Sequence, residues 1–291
     1  MTRVNPVFFN NPACIFLKYR LRLLMFLFLL GLFCNCNVSA QNSDLEFGLL
    51  NVGVSSIIGG VGAVINKQPE QKFGRVLLKG MAQGALGGYI VFESKRMLRT
   101  LSKNDTYAFV YPSKILNAAG NSIIENAARN DDFWVRWHIN FGFNRLEIHT
   151  QDQLKFKYSI NLFPFYGSIL NAFKEGKFDF GKSIKLGTIV FVDPNLEALG
   201  SVGSNIITFR PSVGKGTEAH ELVHTYQYEQ LSGVNFYLDP FTSDLKKKHK
   251  LLRLYDRIFY TDLNYLLEIS LYYMNPNNRT NIKEKEARHF K

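Results

Sequence analysis

Beyond residue 36 the chain has no cysteine: Cys14, Cys34 and Cys36 are its only three. A chain beginning at Gln41 therefore holds neither thiol nor disulfide. A concentrated basic stripe is lacking as well. The formal charge is +11, yet Lys and Arg are scattered and no helical segment carries them along one side, which argues against a nucleic-acid partner. The one dense run, LKKKHK at Leu245–Lys250, reads as a solvated loop or helix end. Strands are scarce too, about five where a membrane barrel needs at least eight, so a barrel is excluded.

What is present suits a folded core. With 46% hydrophobic and 20% charged residues, global disorder is excluded. The length of 291 residues fits one large domain with an appended segment. That segment is residues 1–40. Lys18, Arg20 and Arg22 precede the apolar Leu23–Phe33, and Val38, Ser39 and Ala40 stand before Gln41. A basic flank, a short apolar stretch and a small-residue cleavage site form a secretory signal peptide. The long leader keeps an uncleaved anchor as the alternative. Export without disulfides points to a bacterial cell envelope, periplasmic or membrane-associated.

Residues 41–104 predict a glycine-rich helical hairpin. Phe47–Ile65 carries no charge, and Phe73–Phe92 places Gly80, Gly84 and Gly88 four apart, on one helix face where another backbone can approach. The length permits membrane insertion of residues 47–92. Arg75 and Lys79 within the second stretch, and Lys95, Arg96, Arg99 and Lys103 after it, oppose insertion by an exported chain. Both readings, inserted or packed on the domain, stay open.

Residues 105–291 predict an α+β domain. Ser113–Asn130 reads as a helix capped by Ser113. From Phe133 the apolar period becomes two: Phe133, Val135, Trp137, Ile139, Phe141 and Phe143 predict a half-buried strand with one apolar face. A turn or bulge at Asn144–Arg145, a strand over Leu154–Leu162, a helix near Tyr166–Gly176, a strand over Ile184–Asp193 and another over Asn205–Phe209 follow. The sheet is expected to be antiparallel, at least in part, with helices on one side.

The chemistry concentrates in AHELVHTYQYE, residues 219–229. His220 and His224 are four apart and leave one face of a helix, here expected to be capped by Thr217, so both imidazoles can share one ion. Glu221 is turned about 100° away, which lets it act on a water without ligating the metal. The residue types and spacing fit a Zn2+ site with Glu221 as general base. The competing reading is an amphipathic helix whose histidines hydrogen-bond in a core. Glu229 is on the opposite side of the helix, while Glu268, an acid amid Leu, Ile and Tyr, is a third-ligand candidate because a buried carboxylate needs a charged partner. Tyr226 and Tyr228 are candidates for oxyanion support. His138, His149 and His249 lack ligand spacing.

The segment resembles the active-site helix of the gluzincin metallopeptidases, in which a Glu on a later helix completes His-Glu-x-x-His. More closely, it is similar to uncharacterised bacterial metallopeptidase-like domains with H-E-x-x-H-x-x-Q and, downstream, N-x-x-E-x-E-A. Gln227 matches the first motif, and NIKEKEA at Asn281–Ala287 matches the second. The likeness runs from His220 to the C-terminus. It implies a zincin-like domain with Glu286 as third zinc ligand and Glu284 as the next choice. The resulting expectation is an exported zinc metallopeptidase taking an extended peptide or protein substrate along Asn205–Phe209. The alternative is a non-catalytic membrane or envelope protein in which the helix is structural.

Overall fold

The computed structural model describes residues 43–174, 176–275 and 279–291. The signal-like residues 1–40 and all three cysteines lie outside the described residues.

Helix α1 (Asp44–Ile65) begins at Ser43, whose hydroxyl accepts from the Glu46 amide at 3.2 Å. It pairs with α2 (Phe73–Lys103), and α3 (Val110–Ala128) packs against both. The glycines explain how close the pair comes. A Cβ on Gly80 would lie 2.6 Å from the Gly59 carbonyl oxygen, and one on Gly84 would overlap the Ser55 carbonyl. Only a bare backbone lets the helices touch there. The chain continues through β1 (Arg136–Phe141), β2 (Asn144–His149), β3 (Lys155–Asn161), α4 (Leu162–Phe173), β4 (Lys177–Phe178) and α5 (Phe180–Leu186). Next come β5 (Ile189–Val192), β6 (Gly200–Gly203), β7 (Ile206–Phe209) and α6 (Lys215–Gln230), which runs on as a 3-10 segment over Leu231–Leu238. Then follow α7 (Asp239–Lys248), α8 (Lys250–Ile258), β8 (Phe259–Tyr260), α9 (Asn264–Met274) and α10 (Ile282–His289).

The class is α+β. The strands make two mixed sheets, ordered β1-β2-β3-β8 and β4-β5-β7-β6, with β3–β8 and β5–β7 parallel and the other pairs antiparallel. Residues 40–291 form one compact unit, so the hairpin and residues 105–291 share a single packed body. Two expected caps sit elsewhere. Gly214 precedes α6 in place of Thr217. Ser113 lies inside α3, its hydroxyl donating to the Ser94 carbonyl at 2.7 Å.

The first sheet corrects the expectation of an inward apolar face. His138, Asn140, Arg145, Glu147, Ser159 and Asn161 are buried, while Ile139, Leu146, Phe156 and Tyr158 are exposed on the other side. The cause is α3, which offers Asn117, Asn121, Ser122 and Glu125 as buried polar groups. Polar strand positions therefore turn toward it. Arg145 donates to Glu125 Oε2 at 2.6 Å and to Glu147 Oε1 at 2.7 Å, and Ser122 Oγ lies 3.1 Å from His138 Nδ1. Burial acts to raise Glu125, but the Arg145 guanidinium outweighs it and holds the carboxyl at about 2. Burial, reinforced by Arg145, pushes His138 down to about 4.

The second sheet and α6 bound the main core. Val190, Ile207 and Phe209 pack with Ala219, Leu222, Val223 and Tyr226, and with Phe47, Phe92 and Phe290. Positions 219, 222, 223 and 226 form one helical stripe, so core packing fixes the rotation of α6 and thereby the side on which its histidines emerge.

Candidate metal centre

His220 and His224 leave α6 on the side where α10 crosses it. Their Nε2 atoms are 3.1 Å apart. Glu284 of α10 lies against both, with Oε2 3.5 Å from His220 Nε2 and Oε1 3.3 Å from His224 Nε2. Among the described residues these three form the only cluster of at least three His, Cys, Asp or Glu side chains with donors converging for a metal. A tetrahedral zinc with ligands at 2.0–2.2 Å holds its donors about 3.3–3.6 Å apart, so the two histidine–carboxylate separations fit that ion and the 3.1 Å between the imidazoles is slightly short of it. All three are partly exposed, with side-chain accessibilities of 16%, 13% and 19%, which leaves room for a fourth ligand.

The electrostatics concentrate charge at one point. Contacts with His220 and His224 in their protonated forms hold the Glu284 carboxyl well below its usual range. Burial pushes His224 down, but the Glu284 hydrogen bond and the Glu221 charge outweigh it and raise the imidazole. Glu221, one residue along from His220, is buried. That burial raises its pKa, with Glu284 adding to the shift and the two histidines opposing it. Gly200 of β6 lies directly over this carboxylate: a Cβ there would come within 2.7 Å of Glu221 Oε1. Only glycine leaves the acid its place.

Glu286, the third ligand implied by the family likeness, is elsewhere. Two residues along an α-helix amounts to about 200°, so Glu284 and Glu286 face opposite sides of α10. Glu286 points into the protein, where Lys95 Nζ is 3.0 Å from Oε2, Asn51 donates to Oε1 at 2.5 Å and Gln227 donates to Oε2 at 2.7 Å. Glu268 pairs with Lys283 and lies outside the cluster. Tyr226 and Tyr228 are buried, bonded to Ser113 and Asp262, and do not face the histidines. His138 is a buried sheet residue, and His289 pairs with Asp44 at 2.7 Å. The short α10 is anchored by Phe290, which is fully buried against Phe47 and Phe92.

The strand expected to receive substrate also needs correction. β7 is paired on both edges, by β5 and β6, and has no free backbone for a peptide. The neighbouring β6 is the terminal strand of its sheet, and it is the one that touches Glu221.

Sequence reading did not anticipate Gly200, Lys95 or Asn51. Lys95 carried a usable signal: a lysine one residue beyond Ser94 in a glycine-packed helix needs a carboxylate partner if it turns inward. Comparison of the chain with protein-family models, with curated proteins and with solved structures finds no match.

Proposed function

We propose that the chain is an exported, envelope-associated zinc metallopeptidase. The observation carrying this reading is the convergence of His220, His224 and Glu284 within 4.8 Å of one another, with the buried carboxylate of Glu221 adjacent. Two imidazoles and one carboxylate are a donor set used by hydrolytic zinc sites, and a partly open position suits catalysis better than a closed structural site. When bound, zinc supplies Lewis acidity, lowering the pKa of a water to about 7 and polarising a carbonyl.

The chain's own residues do the rest. Glu221, made more basic by burial, accepts the proton of the attacking water and returns it to the leaving amine. The free edge of β6 receives an extended peptide by main-chain pairing, and Gly200 lets that backbone pass close to Glu221. Export follows from the signal-like segment 1–40, and peptide or protein in extended form is the substrate class.

One observation favours a second reading, a non-catalytic membrane or envelope protein. The first sheet turns Ile139, Leu146, Phe156 and Tyr158 outward, α4 exposes Tyr166, Ile169, Leu170 and Phe173, and α1 is long and apolar enough to cross a bilayer. Apolar faces of this kind mark interaction or membrane surfaces. A single experiment separates the readings. Purified protein is expected to cleave an unfolded protein such as casein, to lose that activity to a zinc chelator, and to regain it with added zinc. No hydrolysis in zinc-replete protein favours the second reading, whereas hydrolysis that survives chelation removes zinc from the reaction.

A further inference from the structure

We propose that Gln227 sets the tautomer of His224, and that Glu286 and Lys95 hold Gln227 in the orientation that does so. The inference rests on the metal-site reading for its consequence but on hydrogen bonding alone for its geometry.

The chain of constraints starts in the hairpin. Lys95 of α2 is fully buried, and its ammonium has three donors to place. They go to Asn51 Oδ1 at 2.8 Å, Gln230 Oε1 at 2.9 Å and the Glu286 carboxylate at 3.0 Å. Gln230 is itself fixed, donating to the Asn51 carbonyl at 3.2 Å and to Ser55 Oγ at 2.9 Å. Glu286 is thus pinned by Lys95 and Asn51. Its Oε2 accepts from Gln227 Nε2 at 2.7 Å, and the Lys283 carbonyl accepts from the same nitrogen at 2.9 Å.

Both acceptors are oxygens, so the amide nitrogen of Gln227 must face them, and reversing the amide would set oxygen against oxygen. The amide oxygen is left facing His224 Nδ1 at 2.8 Å. An oxygen can only accept, so Nδ1 carries the proton. In a neutral imidazole that puts the lone pair on Nε2, the atom that faces His220 and Glu284. The Glu284 carboxylate at 3.3 Å competes for the proton, and the shorter contact to Gln227 at 2.8 Å is what keeps it on Nδ1. The buried ion pair and the amide together present His224 in the form that binds a metal. Outer partners of this kind typically change metal affinity about 10–100-fold. By contrast His220 Nδ1 is buried without a hydrogen-bond partner among the described residues, so this device serves one histidine and not the other.

The relay assigns work to residues far apart in sequence. Lys95 and Asn51 lie in the hairpin, Gln227 on the histidine helix and Glu286 near the end of the chain. It also gives Glu286 a role other than ligation.

The test reads the tautomer directly. Long-range proton–nitrogen NMR correlations of 15N-histidine-labelled, metal-free protein, at a pH where the imidazoles are neutral, distinguish protonated Nδ1 from protonated Nε2. In the wild type, His224 is expected to be Nδ1-protonated. In Gln227→Leu it is expected to shift to a mixture or to the Nε2–H form, with zinc affinity, measured by chelator competition, lowered about 10–100-fold. The double variant Lys95→Met/Glu286→Gln, which removes both buried charges together, is expected to weaken zinc in the same direction. An Nε2–H wild type, or a Gln227→Leu protein with unchanged tautomer and affinity, overturns the proposal. If Gln227→Leu does not fold, the wild-type spectrum and the double variant's affinity still decide it. An Nδ1–H wild type that takes up no zinc leaves the relay standing and removes the metallopeptidase reading. Tight zinc binding with an Nε2–H wild type does the reverse.

Discussion

Glu221→Gln is expected to lower peptide hydrolysis by about 10²–10⁴-fold, the span general-base catalysis covers, while zinc binding and fold are retained. The substitution keeps shape under Gly200 and removes only the charge. Because burial raises the Glu221 pKa, the ionised carboxylate is held at a cost, and a neutral amide there relieves it. The thermal midpoint of the variant should therefore equal or exceed that of the wild type, a trade of stability for function found where active sites are strained. Activity assays beside a melting curve check both halves. Unchanged hydrolysis would remove Glu221 from the proton-transfer role. A steep fall in midpoint with zinc lost would show it to be a structural group.

The second large effect is on stability in acid. Glu125 sits at about 2 against an ordinary 4.5, and His138 at about 4 against 6.5. Both are depressed in the folded chain, so on acidification the unfolded chain binds protons first, and stability falls wherever it does so. His138 contributes its loss between about pH 6.5 and 4, and Glu125 between about 4.5 and 2. Each tenfold change in proton affinity is worth about 1.4 kcal/mol, so the combined loss is on the order of several kcal/mol. Urea titrations should show the midpoint falling by about 1 M or more between pH 7 and 3. His138→Gln should flatten the upper part of that curve. A midpoint insensitive to pH over this range would mean that the inward polar sheet face is not formed as described.

That sheet marks where sequence reading reached its limit. Alternation from Phe133 onward identified strands, and β1 and β3 are where it placed them. It did not identify the inward side, because that depends on what packs opposite, and α3 presents Asn, Ser and Glu. The glycines at 80, 84 and 88 were a local signal with a local meaning, and the hairpin they predicted is present. At the candidate site, helical spacing was enough to bring His220, Glu221 and His224 together. The choice between Glu284 and Glu286 was not legible, since it rests on how α10 is rotated against α6. Phe290, packed into the core with Phe47 and Phe92, sets that rotation, and Lys95, more than a hundred residues away, claims the inward carboxylate. Likewise, a strand's position within its sheet decides whether it has a free edge, and for β7 only pairing shows that it has none.

The most direct measurement is zinc per folded chain, by elemental mass spectrometry on protein equilibrated with zinc and freed of excess, for the wild type beside Glu284→Ala and Glu286→Gln. The account predicts about one zinc in the wild type, little in Glu284→Ala, and near-stoichiometric zinc, bound more weakly, in Glu286→Gln. Zinc lost from Glu286→Gln but kept by Glu284→Ala, or a wild type that takes up none, would contradict it.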